Sequence, residues 1–367
     1  MQVSTRLWRH FDVWLLASVA VLTIAGVAMI RSAIGGNENL ADLVPRQAIF
    51  AMIGLAVVVI TAAIDYRFWT ALVRPLYLLV VAALALVLVA GFVGFGAARW
   101  FNVGIAYIQP TELAKVMMIL VMADFFARHR HDLSQTRVIL QSLILVSVPA
   151  VLVFLQPDLS TVIDLGIIWA TVVWASGVPL RRLALVLGAA VVLALMAWPF
   201  LAEYQQARVV SFLFPNPEAR YGETYNVTQA LIAIGSGGLF GKGYLHGTQA
   251  QLRFLKVRHT DFIFAVFSEE FGLAGALIFL AVFAIVLLRC FRAARMARDP
   301  FGAYLAYGVA SLLMFSAVFN IGMNLSLIPV SGVPLPFFSY GGSSLVANLF
   351  GIGLVESVIL RHKAIDL

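Results

Sequence analysis

Charge is what this sequence has least of. Asp, Glu, Lys and Arg make up 12% of its 367 residues, where a soluble domain carries about 25%. Hydrophobic residues make up 62%, so a water-soluble fold is excluded and the chain reads as an integral membrane protein. Cysteine is down to one residue, Cys290, which excludes an intramolecular disulfide framework and a Cys-based zinc site. The six histidines do not replace it: His129 and His131 sit among arginines, and a metal site of His alone has no support. Alternating segments of the outer-membrane barrel type are missing too. The apolar stretches run about 18 to 25 residues, the length of spanning helices. The first, Val13 to Ile30, lacks a small-residue cleavage site and reads as a helix, not a removed signal peptide. Base exceeds acid, for a formal charge of +7, yet the arginines form no single patch, which argues against nucleic acid. They punctuate the ends of apolar runs, as an orientation signal does.

Ten such runs lie near 12–33, 46–64, 74–97, 110–127, 138–155, 158–176, 181–201, 261–289, 301–324 and 340–360. The expected fold is an all-α polytopic membrane protein of ten transmembrane helices, a single domain over 1–367 with no separate soluble part. The segments between runs alternate in charge. Every second one is basic: Arg6 and Arg9; Arg67 and Arg74; Arg128, Arg130 and Arg137; Arg181 and Arg182; Arg289, Arg292, Arg295 and Arg298; Arg361 and Lys363. The positive-inside rule puts that set, and both termini, in the cytoplasm. Residues 202–260, between helices 7 and 8, then form a large extracytoplasmic loop. Its aromatic, Gly-rich and basic stretches read as folded against the membrane surface.

Three acids fall at helix starts on the outer face. "QPTELAK" puts Glu112 in the first turn of span 4, "QPDLST" puts Asp158 in that of span 6, and "HTDFIF" puts Asp261 at the start of span 8. Pro110 and Pro157 suit a first helical position, where a missing N–H costs nothing. For any one acid, capping of helix N–H groups and dipole is an equal explanation. Three together, with Glu269 and Glu270 further into span 8, point to function, because ionisable groups at membrane depth are costly. Glu269 lies nearer the Asp261 side of that helix and Glu270 roughly opposite, so at most one lines the same cavity.

The outer face also carries bases that orientation does not require: Arg46, Arg99, Lys115, Arg208, Lys242, Arg253, Lys256 and Arg258. Lys115 follows Glu112 at the spacing of a helical salt bridge, the better reading for that pair. The others suit a phosphate or pyrophosphate, with anionic lipid headgroups as the simpler alternative. "GSGGLFGKGYLHGTQ" (Gly235 to Gln249) fails as a nucleotide loop, because Ser236 and Gly243 occupy positions that need Gly and a hydroxyl residue. It reads instead as a Gly-rich turn that brings Lys242 to a surface ligand. "PVSGVPLPFFSYGGSSL" (Pro329 to Leu345) reads as a re-entrant loop beside a lipid-facing groove, against a plain tight loop. His259 is placed to orient or cap Asp261.

These motifs, with "IAIGSGGLFGKGYLHGTQAQLRFLKVRHTDFIFAVFSEEFG", resemble the SEDS family (shape, elongation, division and sporulation) over nearly the whole chain. "GKGYLHGTQAQLRFL" is more similar to its rod-shape branch than to its division branch. The resemblance implies a peptidoglycan glycosyltransferase that polymerises lipid II on the outer face of the bacterial inner membrane. It implies Asp261 as the catalytic residue. Glu112 and Lys115 match the family's functional acid and base, Asp158 its second acid, and Arg208 a basic position near the start of the large loop. Expected partners are lipid II, a class B penicillin-binding protein, other elongation-complex membrane proteins and membrane lipids. Two departures stand out: Lys256 and Val257 replace a common Pro-Glu, and Ser160 replaces Gly.

The chemistry expected of such a site is a base, Asp261, that takes the proton of an acceptor 4-hydroxyl. Cations at Arg208, Lys242 and Arg258 would steady the leaving pyrophosphate, with a divalent cation as a further candidate. Glu112 would position Lys115 or an acceptor hydroxyl. An acid at a helix start should ionise readily and be a weak base, which favours a concerted transfer. A lipid flippase or transporter is the main rival and fits the broken loop and the embedded Glu pair, although transporters hold charge near the midplane. A non-enzymatic scaffold is the third reading and leaves the outer acids unexplained.

Overall fold

The computed structural model describes residues 10–35, 37–94, 97–102, 107–215 and 222–362. Arg6, Arg9 and Lys363 lie outside the described residues. Each of the ten apolar runs corresponds to a helix: α1 (Val13–Ile34), α2 (Leu43–Ala63), α3 (Phe68–Ala90), α4 (Pro110–Arg128), α5 (Thr136–Leu155), α6 (Leu159–Ala175) and α7 (Leu180–Met196), then, beyond the long 197–262 segment, α11 (Ile263–Met296), α12 (Pro300–Asn324) and α13 (Gly342–Leu360). Among the described residues seven of these, α1, α2, α3, α5, α11, α12 and α13, are long and apolar enough to cross a membrane. The other three fall short for plain reasons. α6 and α7 have 17 residues each, and α4 carries Glu112, Lys115, Asp124 and Arg128.

Local chemistry sets the helix ends. Asp12 caps α1 by accepting from Leu15 N, Gly35 closes it at φ +52, and Asp299 caps α12 by accepting from Gly302 N. Pro110 opens α4 at its first position, where proline's missing N–H has no cost. Of the seven long apolar helices, α12 and α13 are the most enclosed. α13 meets α2 backbone to backbone: a Cβ on Gly353 would lie 3.0 Å from the Val58 carbonyl oxygen. Small residues at such crossings allow the close packing that drives helix association in lipid.

The structure departs from the sequence reading in two elements. The third run was expected to reach residue 97, but α3 stops at Ala90. The chain then forms a small antiparallel sheet of β1 (Phe92–Gly94), β2 (Ala97–Asn102) and β3 (Tyr107–Ile108), in the order β1-β2-β3. Gly91, Gly94 and Gly96 are poor helix residues, so the apolar character there belongs to strands. The eighth run is longer than expected. α11 spans 34 residues, broken at Gly272 (φ 65, ψ −165). Unbroken it would measure roughly 50 Å against a hydrocarbon core of about 30 Å.

The described residues of the 197–262 segment include α8 (Glu203–Leu213), α9 (Gly222–Gly237) and the short α10 (Thr248–Gln251). Its Gly-rich turn joins the break in α11. Lys242 N and Gly243 N donate to the Glu269 and Glu270 carbonyls at 3.0 and 2.9 Å. Leu273 N and Ala274 N in turn donate to Gly238 O and Leu239 O at 2.9 and 3.0 Å. The loop thus supplies hydrogen bonds that the helix forfeits at its break. Gly241 must be glycine for this, since it holds φ +78 and a Cβ there would sit 2.1 Å from Glu270 O.

Candidate active site

Asp261 lies two residues before α11 begins, in a turn built on Val257. The Val257 carbonyl accepts from the N–H groups of Thr260, Asp261 and Phe262 at 3.3, 3.1 and 3.4 Å. Val257 itself holds φ +51, a region that β-branched residues seldom enter. α12 grips the turn from below. Asn320 and Asn324, both fully buried, donate their amides to the Asp261 carbonyl at 3.1 and 2.9 Å. Asn324 Oδ1 also accepts from Ala265 N at 3.1 Å, which caps α11 from another helix.

Residues 325–341, between α12 and α13, form no helix or strand, and Val330, Val333, Leu335, Phe337, Phe338 and Ser339 are buried. Irregular backbone is tolerated in such a fold when protein surrounds it. The segment braces the Asp261 turn: Ser339 Oγ donates to Thr260 O at 2.6 Å, and Tyr340 N to His259 O at 2.9 Å. Asn320 Nδ2 ties it down through Val333 O at 2.8 Å. Glycine at position 26 admits it, since a Cβ there would lie 2.7 Å from Phe337 O. His259 stacks edge-on against Tyr340, with ring centroids 5.8 Å apart, and burial with the nearby Arg258 charge pushes its pKa down to about 4. It is therefore neutral at pH 7, and its ring packs on Tyr340 where the sequence reading aimed it at Asp261.

The Asp261 side chain keeps an exposed edge, yet the protein packed around it pushes its pKa up to about 6. Arg208 and a hydrogen bond from Thr260 oppose that rise, and Glu223 adds to it. The sequence reading expected an easily ionised, weak base. Desolvation outweighs the helix-start effect because α11 begins only at Ile263. Arg208 stands on α8 and Glu223 in the first turn of α9, with Arg208 Nε 3.2 Å from Glu223 Oε1. The Arg208 guanidinium also lies 5.6 Å from the Tyr204 ring centroid, a cation–π distance.

The other predicted residues have internal partners. Lys115 Nζ pairs with Glu112 Oε1 at 2.9 Å and with Asp164 Oδ2 at 3.2 Å, all three buried. Asp158 caps α6, accepting from Thr161 Oγ1 at 2.9 Å and Thr161 N at 3.3 Å. Among the described residues none of these bonds or pairs with Asp261. Lys242 Nζ binds Glu269 Oε1 at 2.7 Å and Thr248 Oγ1 at 2.8 Å. Glu269 also accepts from Thr248 Oγ1 and Gln249 N at 2.9 and 3.1 Å. Glu270 accepts from Ser32 Oγ on α1. Arg258 is buried against main-chain carbonyls, donating to Ala33, Ile34 and Leu255. It thereby satisfies carbonyls left open at the end of α1. Arg46 lies at the surface, 3.8 Å from Asp42. Arg99 falls in β2, where its side chain lies outside the described set.

Sequence reasoning missed Asn320, Asn324, Asp164 and Glu223. The two asparagines sit four apart on an apolar span, a signal in itself, because polar groups at that depth need partners. Asp164 is an ionisable residue inside α6 and carries the same signal. Glu223 gives none, since it follows a loop whose fold decides where it lands. Among the described residues no group of three or more His, Cys, Asp or Glu could hold a metal ion.

The FtsW/RodA/SpoVE family model, described as "Cell cycle protein", matches residues 8–364. The peptidoglycan glycosyltransferase MrdB of Escherichia coli K12 is 38% identical over 364 residues, 97% of this chain and 95% of that protein. A solved chain from work on structural coordination of polymerization and crosslinking by a peptidoglycan synthase complex superposes with a TM-score of 0.81. It shares 30% identity, over 96% of this chain and 98% of that one. The rod shape determining protein RodA of Thermus thermophilus superposes with a TM-score of 0.70 at 31% identity, over 95% of this chain and 96% of that one.

Proposed function

The chain belongs to the FtsW/RodA/SpoVE, or SEDS, family of cell cycle proteins, and from that premise we propose that it is a peptidoglycan glycosyltransferase. It polymerises lipid II into glycan strands for cell elongation and shape, as a multi-pass protein of the bacterial inner membrane. One observation carries the reading: the Asp261 carboxyl is held in a turn that two buried asparagines clamp, where burial raises its pKa to about 6 against the opposing charge of Arg208.

In the proposed reaction Asp261 accepts the proton of the acceptor sugar's 4-hydroxyl as that oxygen attacks the donor's anomeric carbon. The bond from that carbon to the pyrophosphate oxygen breaks, and polyprenyl pyrophosphate leaves. A base with a pKa near 6 is ionised at pH 7 and holds a proton better than an ordinary carboxylate. Arg208 meets the charge that develops on the leaving pyrophosphate. Lys242 and Arg258, already bound to Glu269 and to main-chain carbonyls, fix the shape of the site around it. Glu112 and Lys115 on α4 pair with Asp164 and hold α4 to α6, while Asp158 caps α6. A divalent cation would arrive with the pyrophosphate and take its oxygens largely from the phosphates.

The ten-span arrangement, with both termini cytoplasmic, is supported by the ten helices and by the arginines at every second turn. α4 is compatible with it because Glu112 and Lys115 are buried against Asp164 rather than turned to lipid. Residues 202–260 are then an extracytoplasmic loop of the one domain, and the active site opens outward. A class B penicillin-binding protein is the proposed partner, supported by the likeness to a chain of a synthase complex. Membrane lipids and other elongation proteins would surround the pair.

Purified protein, with and without a crosslinking-defective partner, is incubated with labelled lipid II and the products resolved on a gel. Glycan ladders that disappear with Asp261→Ala support the enzyme. Transfer of lipid II across a liposome bilayer with no ladder would favour the flippase. The Glu pair that suggested a transporter is engaged elsewhere, since Glu269 and Glu270 anchor the outer segment and α1.

A further inference from the structure

We infer that Glu223 is a built-in stand-in for the substrate's phosphate, holding Arg208 until a pyrophosphate displaces it; the inference rests on the glycosyltransferase reading. The contact between them is of an exchangeable kind. Arg208 and Glu223 side chains are 30% and 32% exposed, and ion pairs that open to water contribute little. It engages Nε, while the terminal nitrogens of Arg208 pair with no carboxylate among the described residues. The fork that grips a phosphate is therefore open on one side. A pyrophosphate offers more charge and bidentate acceptors, so it outcompetes a single carboxylate oxygen. Glu223 has somewhere to go when released. It sits in the first turn of α9, where free N–H groups and the helix dipole favour an acid.

The device protects the base as well. The Arg208 charge lowers the Asp261 pKa and the Glu223 charge raises it, so the pair as a whole leaves the base largely unperturbed. Without Glu223 to offset it, the Arg208 charge would lower the Asp261 pKa further and weaken it as a proton acceptor. Glu223 diverts that charge while the site is empty, and the substrate diverts it during the reaction. Asp261 is kept from an arginine partner throughout.

The test uses the full chain in detergent and farnesyl pyrophosphate as the probe, with binding followed by tryptophan fluorescence. Glu223→Gln and Glu223→Ala should each bind the probe about two- to fivefold more tightly than the parent, the yield of losing a half-exposed competing pair. In both, the acid limb of the lipid II polymerisation profile should move to lower pH. Unchanged or weaker binding in both variants would overturn the inference. So would loss of folded protein in both, which would make Glu223 a structural residue. A parent that makes ladders while the variants bind no better sinks the inference alone. A parent that makes none under any partner condition sinks the glycosyltransferase reading, whatever the variants bind.

Discussion

Asn324 holds Asp261 from two directions. Its amide nitrogen donates to the Asp261 carbonyl at 2.9 Å, and its amide oxygen accepts from Ala265 N at 3.1 Å, one turn into the next helix. A single buried side chain therefore sets both the height of the Asp261 turn and the start of α11.

Replacing that side chain should disturb activity ahead of folding. Asn324→Leu removes one of the two amides on the Asp261 carbonyl, leaving that of Asn320, and the side-chain acceptor of Ala265 N, at a cost of about 1–3 kcal/mol. Thermal unfolding should show that loss. The rate of lipid II polymerisation should fall further than the stability change explains, because Asp261 loses its fixed position. Asn324→Asp keeps an acceptor for Ala265 N but loses its own donor to the Asp261 carbonyl, which Asn320 alone then holds, and should recover stability only in part.

The pH profile should carry the signature of Asp261. Its pKa is raised to about 6, and the base form is the working one. Polymerisation should be full above pH 7, fall to half near pH 6 and fade below. The check is kcat/KM for lipid II across pH 5 to 8. Asp261→Asn should lower the rate about a hundredfold or more and remove the acid limb from whatever activity remains. A limb near pH 4 in the parent would refute the buried base.

Glu269 should prove structural. It is fully buried and receives the Lys242 ammonium, the Thr248 hydroxyl and the Gln249 N–H. Glu269→Ala strands those donors, a loss of about 1–3 kcal/mol. Hydrogen exchange should rise at Gly238 to Gln251 and around Gly272, while exchange in α12 and α13 stays slow. Lys242→Met should give a weaker version of the same pattern, since that end of the pair meets solvent.

Much of this was readable in the residues, and the reason differs from part to part. The ten helices follow from apolar length, which is local. The ends of α3 and α11 do not, because a glycine run turned one tail into strands and a loop from elsewhere cut the other helix. Asp261 stood out by its motif and its place at a helix start. Its basicity did not, because it depends on packing by α12 and the 325–341 segment. Lys242 and Arg258 looked free because long cationic side chains choose partners only in three dimensions. Glu223 was invisible for the same reason.

The break at Gly272 makes the outer segment and α11 one mechanical part. The Glu269 and Glu270 carbonyls and the Leu273 and Ala274 N–H groups, which would close two helix hydrogen bonds, make four to the Gly238–Gly243 turn instead, so neither side can slide without unlatching the other. A force applied to that turn, by a docked protein or a growing strand, would act as torque on the far arm of α11. That arm ends at Arg289, Arg292 and Arg295, so the torque would be carried to the basic end of the helix.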